Sequence, residues 1–123
     1  MSSTYSHIDL QLLEGLLELS DPGEPNVVTE ILEIFESTTP DLLKSLRLNV
    51  TANELKNIYA TAHRLKGSAS NIGAHALAMV LLEVEQQAKS GKGPIDDRLC
   101  DSADSLFKIS CEEIHSWLVE NGI

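Results

Sequence analysis

Apolar residues return along this chain at alternating steps of three and four, and no window of useful length alternates apolar with polar positions. A period near 3.6 in segment after segment predicts an all-α protein. A first, short helix is expected from about Ile8 to Leu19, with Ser6 as its N-cap and Asp9 three residues on, ending at the turn SDPGEP. A second should start near Pro25, where the missing N–H costs nothing, with Val28, Ile31, Leu32, Phe35, Leu42 and Leu46 on its apolar face. Pro40 lies inside it, removes one backbone bond and crowds the carbonyl of Glu36, so a kink or break is expected around STTPD.

The third helix opens at TANE, where Thr51 and Glu54 have capping-box spacing, and its seam is Leu55, Ile58, Ala62, Leu65, Ala69 and Ile72. The fourth follows Gly73, turns Leu77, Val80, Leu81, Val84 and Ala88 inward and stops at SGKGP. The last runs from near Pro94 to about Glu120 and buries Leu99, Leu106, Ile114 and Trp117 or Leu118. Short connections between long amphipathic helices favour antiparallel neighbours. The expectation is therefore an antiparallel up-and-down four-helix bundle with an additional short N-terminal helix. It forms a single domain over residues 1–123, with the core bundle at about 25–120.

At about 100° per residue, the direction of His63 differs from the centre of the third helix's apolar seam by roughly 130°, so its ring should face solvent. Residues three, four and seven positions away share that surface: Lys56, Tyr59, Ala60, Lys66, Gly67 and Ser70. Between Ala52 and Ile72, three bases (Lys56, Arg64, Lys66) stand against one acid (Glu54), in a chain whose formal charge is −10. The local charge opposes the global one. Neutral imidazole is a competent nucleophile near neutral pH. A phosphoryl group on the ring brings about two negative charges, which a lysine one turn away can offset. In-line transfer also needs clearance for a second protein's active site, which compensates a mid-helix glycine for its cost of about 1 kcal/mol against alanine. His7, His75 and His115 have no basic or glycine neighbour at one-turn spacing and read as structural or solvent-facing.

The acidic balance repels phosphate backbones and anionic lipid surfaces, which argues against nucleic acid and membrane partners. No apolar run approaches the roughly 20 residues of a membrane-spanning helix, and the N-terminus lacks a basic region followed by an apolar core, so a cytoplasmic protein is expected. Cys100 and Cys111 fall on one helix about 16 Å apart along its axis, against the roughly 7 Å between Cα atoms that a disulfide needs. They are expected as reduced, buried or half-buried thiols. Neither has zinc-ligand spacing, and no metal site is expected.

AHRLKGSASNIGAHAL resembles the signature of the histidine phosphotransfer (HPt) domain family, A-H-x-L-K-G followed by small residues, G-A and L. VEQQAKSG (Val84 to Gly91) is similar to the family's L-E-x-x-A-R-x-G, and ILEIFESTTPDLLKSL to its second helix, proline included. Leu81, Val84 and Lys89 depart from a frequent cysteine, leucine and arginine, at packing or surface positions. The resemblance implies that His63 is phosphorylated on its distal nitrogen, that Lys66 supports the phosphoryl group and that Gly67 leaves room for a response-regulator receiver. Lys56, Tyr59, Ala60, Arg64 and Ser70 would then be partner contacts. It further implies a carrier without a cofactor of its own, the receiver supplying aspartate and Mg²⁺, with a hybrid sensor histidine kinase and receiver domains as partners of a monomer. A histidine kinase would need a P-loop or glycine-rich nucleotide motif, and neither is present. The other reading is a helical adaptor that docks signalling partners without phosphotransfer.

Overall fold

The computed structural model describes residues 5–21 and 26–123. Five helices follow one another: α1 (Leu10–Glu18), α2 (Val27–Thr51), α3 (Leu55–Asn71), α4 (His75–Ser90) and α5 (Asp97–Glu120). Helix α2 packs on α3, α3 on α4, α4 on α5 and α5 back on α2, which closes a four-helix bundle, while α1 adds to α2. Among the described residues there is no strand. The core contains Leu32, Leu46, Ile58, Leu65, Leu77, Leu81 and Ile114, all at most 2 % exposed.

Several helix ends differ from expectation, most where another polar residue supplies the cap. Helix α1 starts at Leu10, not Ile8, because Asp9 and not Ser6 caps it, its side chain accepting from the Leu12 N–H. The expected start of α2 at Pro25 falls outside the described residues; its cap is Asn26, which accepts from the N–H groups of Val28 and Thr29. The Thr51–Glu54 capping box does not form. Thr51 is instead the last residue of α2 and donates its hydroxyl to the Arg47 carbonyl, while Glu54 precedes α3 without a side-chain cap bond. Helix α5 begins at Asp97, with Asp96 accepting from the Arg98 N–H.

Helix α2 also runs through Pro40 unbroken. Pro40 lies on the exposed face, so the carbonyl it leaves unpaired, four residues back on the same side, can turn to water. An unbroken period then carries Thr39, Leu43 and Val50 inward with Val28, Leu32, Phe35 and Leu46. Ile31 and Leu42 are half-buried rather than central. Leu55, Val80, Leu99 and Leu106 are half-buried likewise, and Trp117 and Leu118 are both buried.

The N-terminal segment fastens onto the α3–α4 turn. Gly73, at φ +78°, closes that turn; its carbonyl accepts from the Asp9 N–H at 2.8 Å, and the His7 carbonyl accepts from the Ala76 N–H at 3.3 Å. A Cβ on Gly73 would sit 3.3 Å from the Asp9 carbonyl oxygen in a backbone conformation that side chains disfavour, so glycine is required there on both counts. Cys100 and Cys111 are free and buried, and burial pushes the Cys111 thiol up to about 12, which leaves it inert.

Candidate functional site

His63 stands in the middle of α3, and its side chain is 63 % exposed. The seam residues Ile58, Ala62, Leu65 and Ala69 are buried beneath it, which fixes the helix's rotation and turns residue 63 outward. Tyr59, one turn earlier, lays its ring nearly parallel to the imidazole, with 6.0 Å between centroids and 9° between planes. Gly67, one turn later, has nothing within 4 Å of the place a Cβ would occupy. Lys56, Ala60, Arg64 and Ser70 are exposed, and Tyr59 and Lys66 are half-buried. Every residue expected at the site thus lies on or beside one face of α3.

The sequence reading did not include Glu85. It lies on α4, is 7 % exposed at its side chain, and reaches across to α3. Its Oε2 meets His63 Nδ1 at 3.0 Å, and its two oxygens accept from Lys66 Nζ at 2.6 and 2.9 Å. The Lys66 hydrogen bond is the largest influence holding this carboxyl below its ordinary range; burial opposes it, and His63 adds in the same direction. An ionised carboxylate only accepts hydrogen bonds, so Nδ1 must be the nitrogen that carries the ring proton. In the neutral ring the lone pair is then on Nε2, in a side chain that is 63 % exposed. Two signals in the sequence pointed to Glu85: it sits on the inward arc of α4 with Leu81, Val84 and Ala88, where a charge needs a partner, and it occupies the glutamate of the VEQQAKSG stretch.

The other histidines are placed differently. His7 Nδ1 pairs with Glu113 at 2.7 Å in the N-terminal clamp, and its backbone N–H donates to the same carboxylate at 3.1 Å. His115 Nε2 pairs with Glu36 at 2.8 Å across α5 and α2, and His75 is exposed at the start of α4. A groove of about 440 Å³ between α2 and α5 is lined by Pro40, Leu43, Lys44, Arg47, Asp104, Phe107 and Lys108, and contains no histidine. A nucleophile presented to another protein needs exposure rather than an enclosed cavity, so the face of α3 is the better candidate. Among the described residues no group of three or more His, Cys, Asp or Glu side chains is arranged to hold a metal ion, and no helix is long and apolar enough to cross a membrane.

The family model described as the Hpt domain matches residues 30–117, a span that holds both His63 and Glu85. The chain is 30 % identical over 84 residues to the aerobic respiration control sensor protein ArcB of Escherichia coli K12, covering 68 % of this chain and 10 % of that protein. It is also 30 % identical over 91 residues to histidine-containing phosphotransfer protein 2 of Arabidopsis thaliana, covering 70 % of this chain and 58 % of that one. The chain thus spans only part of the length of these curated relatives. Among solved structures, histidine-containing phosphotransfer protein B (HptB) of Pseudomonas aeruginosa superimposes with a TM-score of 0.80 at 26 % identity, over 92 % of this chain and 95 % of that one.

Proposed function

This chain belongs to the Hpt domain family, and from that premise we infer that it is a phosphorelay intermediate in two-component signalling, with His63 as its phosphoryl acceptor. The single observation that carries the reading is the setting of the His63 ring: Nδ1 is held by a buried carboxylate, which leaves Nε2 to act, and the side chain is 63 % exposed. A neutral imidazole so oriented can attack in line the phosphorus of an aspartyl phosphate on a receiver domain and later give the group to another receiver. Gly67 leaves space for the receiver's active-site edge, and the exposed Lys56, Ala60, Arg64 and Ser70, with Tyr59, form the contact surface around it.

The chain contributes a nucleophile and charge placement and acts as a carrier rather than an enzyme. The aspartate and the Mg²⁺ that neutralises the phosphoryl oxygens belong to the receiver. Hybrid sensor kinases and response regulators are the partner class, and the cytoplasm is the compartment where they would meet. The test is incubation with a panel of phosphorylated receivers, and separately with labelled ATP alone. Label should arrive only from a receiver, and its linkage should be lost in acid and kept in alkali. Labelling by ATP alone would point to a kinase; no labelling from any receiver would favour a docking adaptor.

A further inference from the structure

Lys66 is not waiting at an empty position. Its ammonium is engaged by both oxygens of Glu85, at 2.6 and 2.9 Å, and that carboxylate also accepts from His63 Nδ1 at 3.0 Å. One nearly buried anion therefore serves two partners, and the cation expected to steady a phosphoryl group is occupied before the group arrives.

We propose that Lys66 is held in reserve on Glu85 and passes to the phosphoryl group when His63 is phosphorylated, so that Glu85 sets how tightly the protein retains that group. The inference rests on the phosphorelay reading above. In the transfer step the Nε2 lone pair forms the N–P bond as the P–O bond to the receiver's aspartyl group breaks, and the aspartate leaves as a carboxylate. The Nδ1 proton stays on the ring, which becomes a cation beside Glu85, while the phosphoryl oxygens bring two negative charges to the Nε2 side. Each charge then finds an opposite neighbour if the lysine moves: Glu85 faces the imidazolium and Lys66 faces the phosphoryl group. A flexible four-carbon stem, starting one turn from His63 on the same face, allows the move. The cost of the exchange is the Lys66–Glu85 pair, whose two short contacts outweigh the single contact to the ring.

Glu85→Gln removes two terms at once, the pull on the lysine and the charge that faces the imidazolium, while a glutamine oxygen can still accept from Nδ1–H; without Lys66 only the second term remains, so the two backgrounds together isolate the first. Phosphoryl distribution at equilibrium between a receiver and the protein is the measurement, made on the wild type, Glu85→Gln, Lys66→Met and the double variant. The ratio of phosphohistidine to phosphoaspartate should respond to Glu85→Gln more favourably with Lys66 present than in the Lys66→Met background, by about three- to tenfold, the scale of one charge-assisted contact released. In the Lys66→Met background the same substitution should lower the ratio, because only the charged partner of the imidazolium is lost. An equal fold-change in the two backgrounds, or a less favourable one with Lys66 present, overturns the proposal. A readout on the wild type is independent of how any variant folds: the ¹⁵N-labelled ammonium resonance of Lys66 should shift on phosphorylation, and an unmoved resonance overturns the exchange. If the wild-type protein accepts no phosphoryl group from any receiver, the phosphorelay reading has failed and this inference falls with it.

Discussion

The α3–α4 face and the α2–α5 face each carry an exposed histidine bonded to a glutamate on the neighbouring helix. His63 is 63 % exposed and pairs with Glu85 at 3.0 Å; His115 is 57 % exposed and pairs with Glu36 at 2.8 Å. Exposure and a carboxylate partner therefore do not by themselves single out His63, the proposed phosphoryl acceptor. The difference lies in which nitrogen is used: Glu85 takes Nδ1 and not Nε2, whereas Glu36 takes Nε2 itself. It lies also in what surrounds the pair. Glu85 is 7 % exposed and shared with Lys66, while Glu36 is 37 % exposed, and the residue one turn after His115 is the protruding Val119 rather than a glycine. His7 narrows the contrast further, since Glu113 takes its Nδ1, but its side chain is only 33 % exposed inside the N-terminal clamp.

The largest expected effect is on the nucleophile. His63→Gln should abolish transfer from a phosphorylated receiver while changing stability by no more than about 1 kcal/mol, and His115→Gln should transfer at the wild-type rate. Equal loss in both variants would erase the contrast between the two faces. Next comes clearance: Gly67→Gln should cut transfer by roughly 100-fold through displacement of the docked receiver. A helix former at an open mid-helix site should also raise stability by up to about 1 kcal/mol. A sharp drop in melting temperature would instead make Gly67 a packing residue. Lys66→Ala should slow transfer by about tenfold without abolishing it, the scale of one charge-assisted contact in the transition state. It should also cost about 1–3 kcal/mol in chemical denaturation, since a nearly buried carboxylate loses two bonds.

The smallest effect is in pH. Glu85 is held below its ordinary range in the folded protein, chiefly by Lys66, so it contributes stability that is present above the unfolded value near 4.5 and lost as pH falls below it. Thermal melts of wild type and Glu85→Gln should accordingly differ most near neutral pH and converge in acid. A constant difference across that range would show that the carboxylate's charge is not what stabilises the pair.

The bundle was legible in the sequence because a 3.6-residue period over five segments admits few other packings, and His63 was legible because its direction follows from the seam beneath it. Helix ends were less so. Thr51 and Glu54 had the right spacing for a capping box, but α2 continues far enough to use Thr51 itself. Pro40 signals a kink or break by a rule about helix interiors; the break does not occur, and its place on the exposed side of α2 lets the helix continue. Glu85 was missed because an amphipathic pattern reads a charge between apolar positions as surface. Its partners lie on another helix, at separations of 22 and 19 residues, which no local spacing reveals.

The central claim concerns one nitrogen atom, and one spectrum reaches it. With ¹⁵N-labelled histidine and the phosphorylated protein held in mild alkali, coupling between ³¹P and ¹⁵N identifies the phosphorylated atom directly. The expected result is coupling at Nε2 of His63 and at no other ring nitrogen of the chain's four histidines. Coupling at Nδ1 of His63, or at His7, His75 or His115, would contradict it.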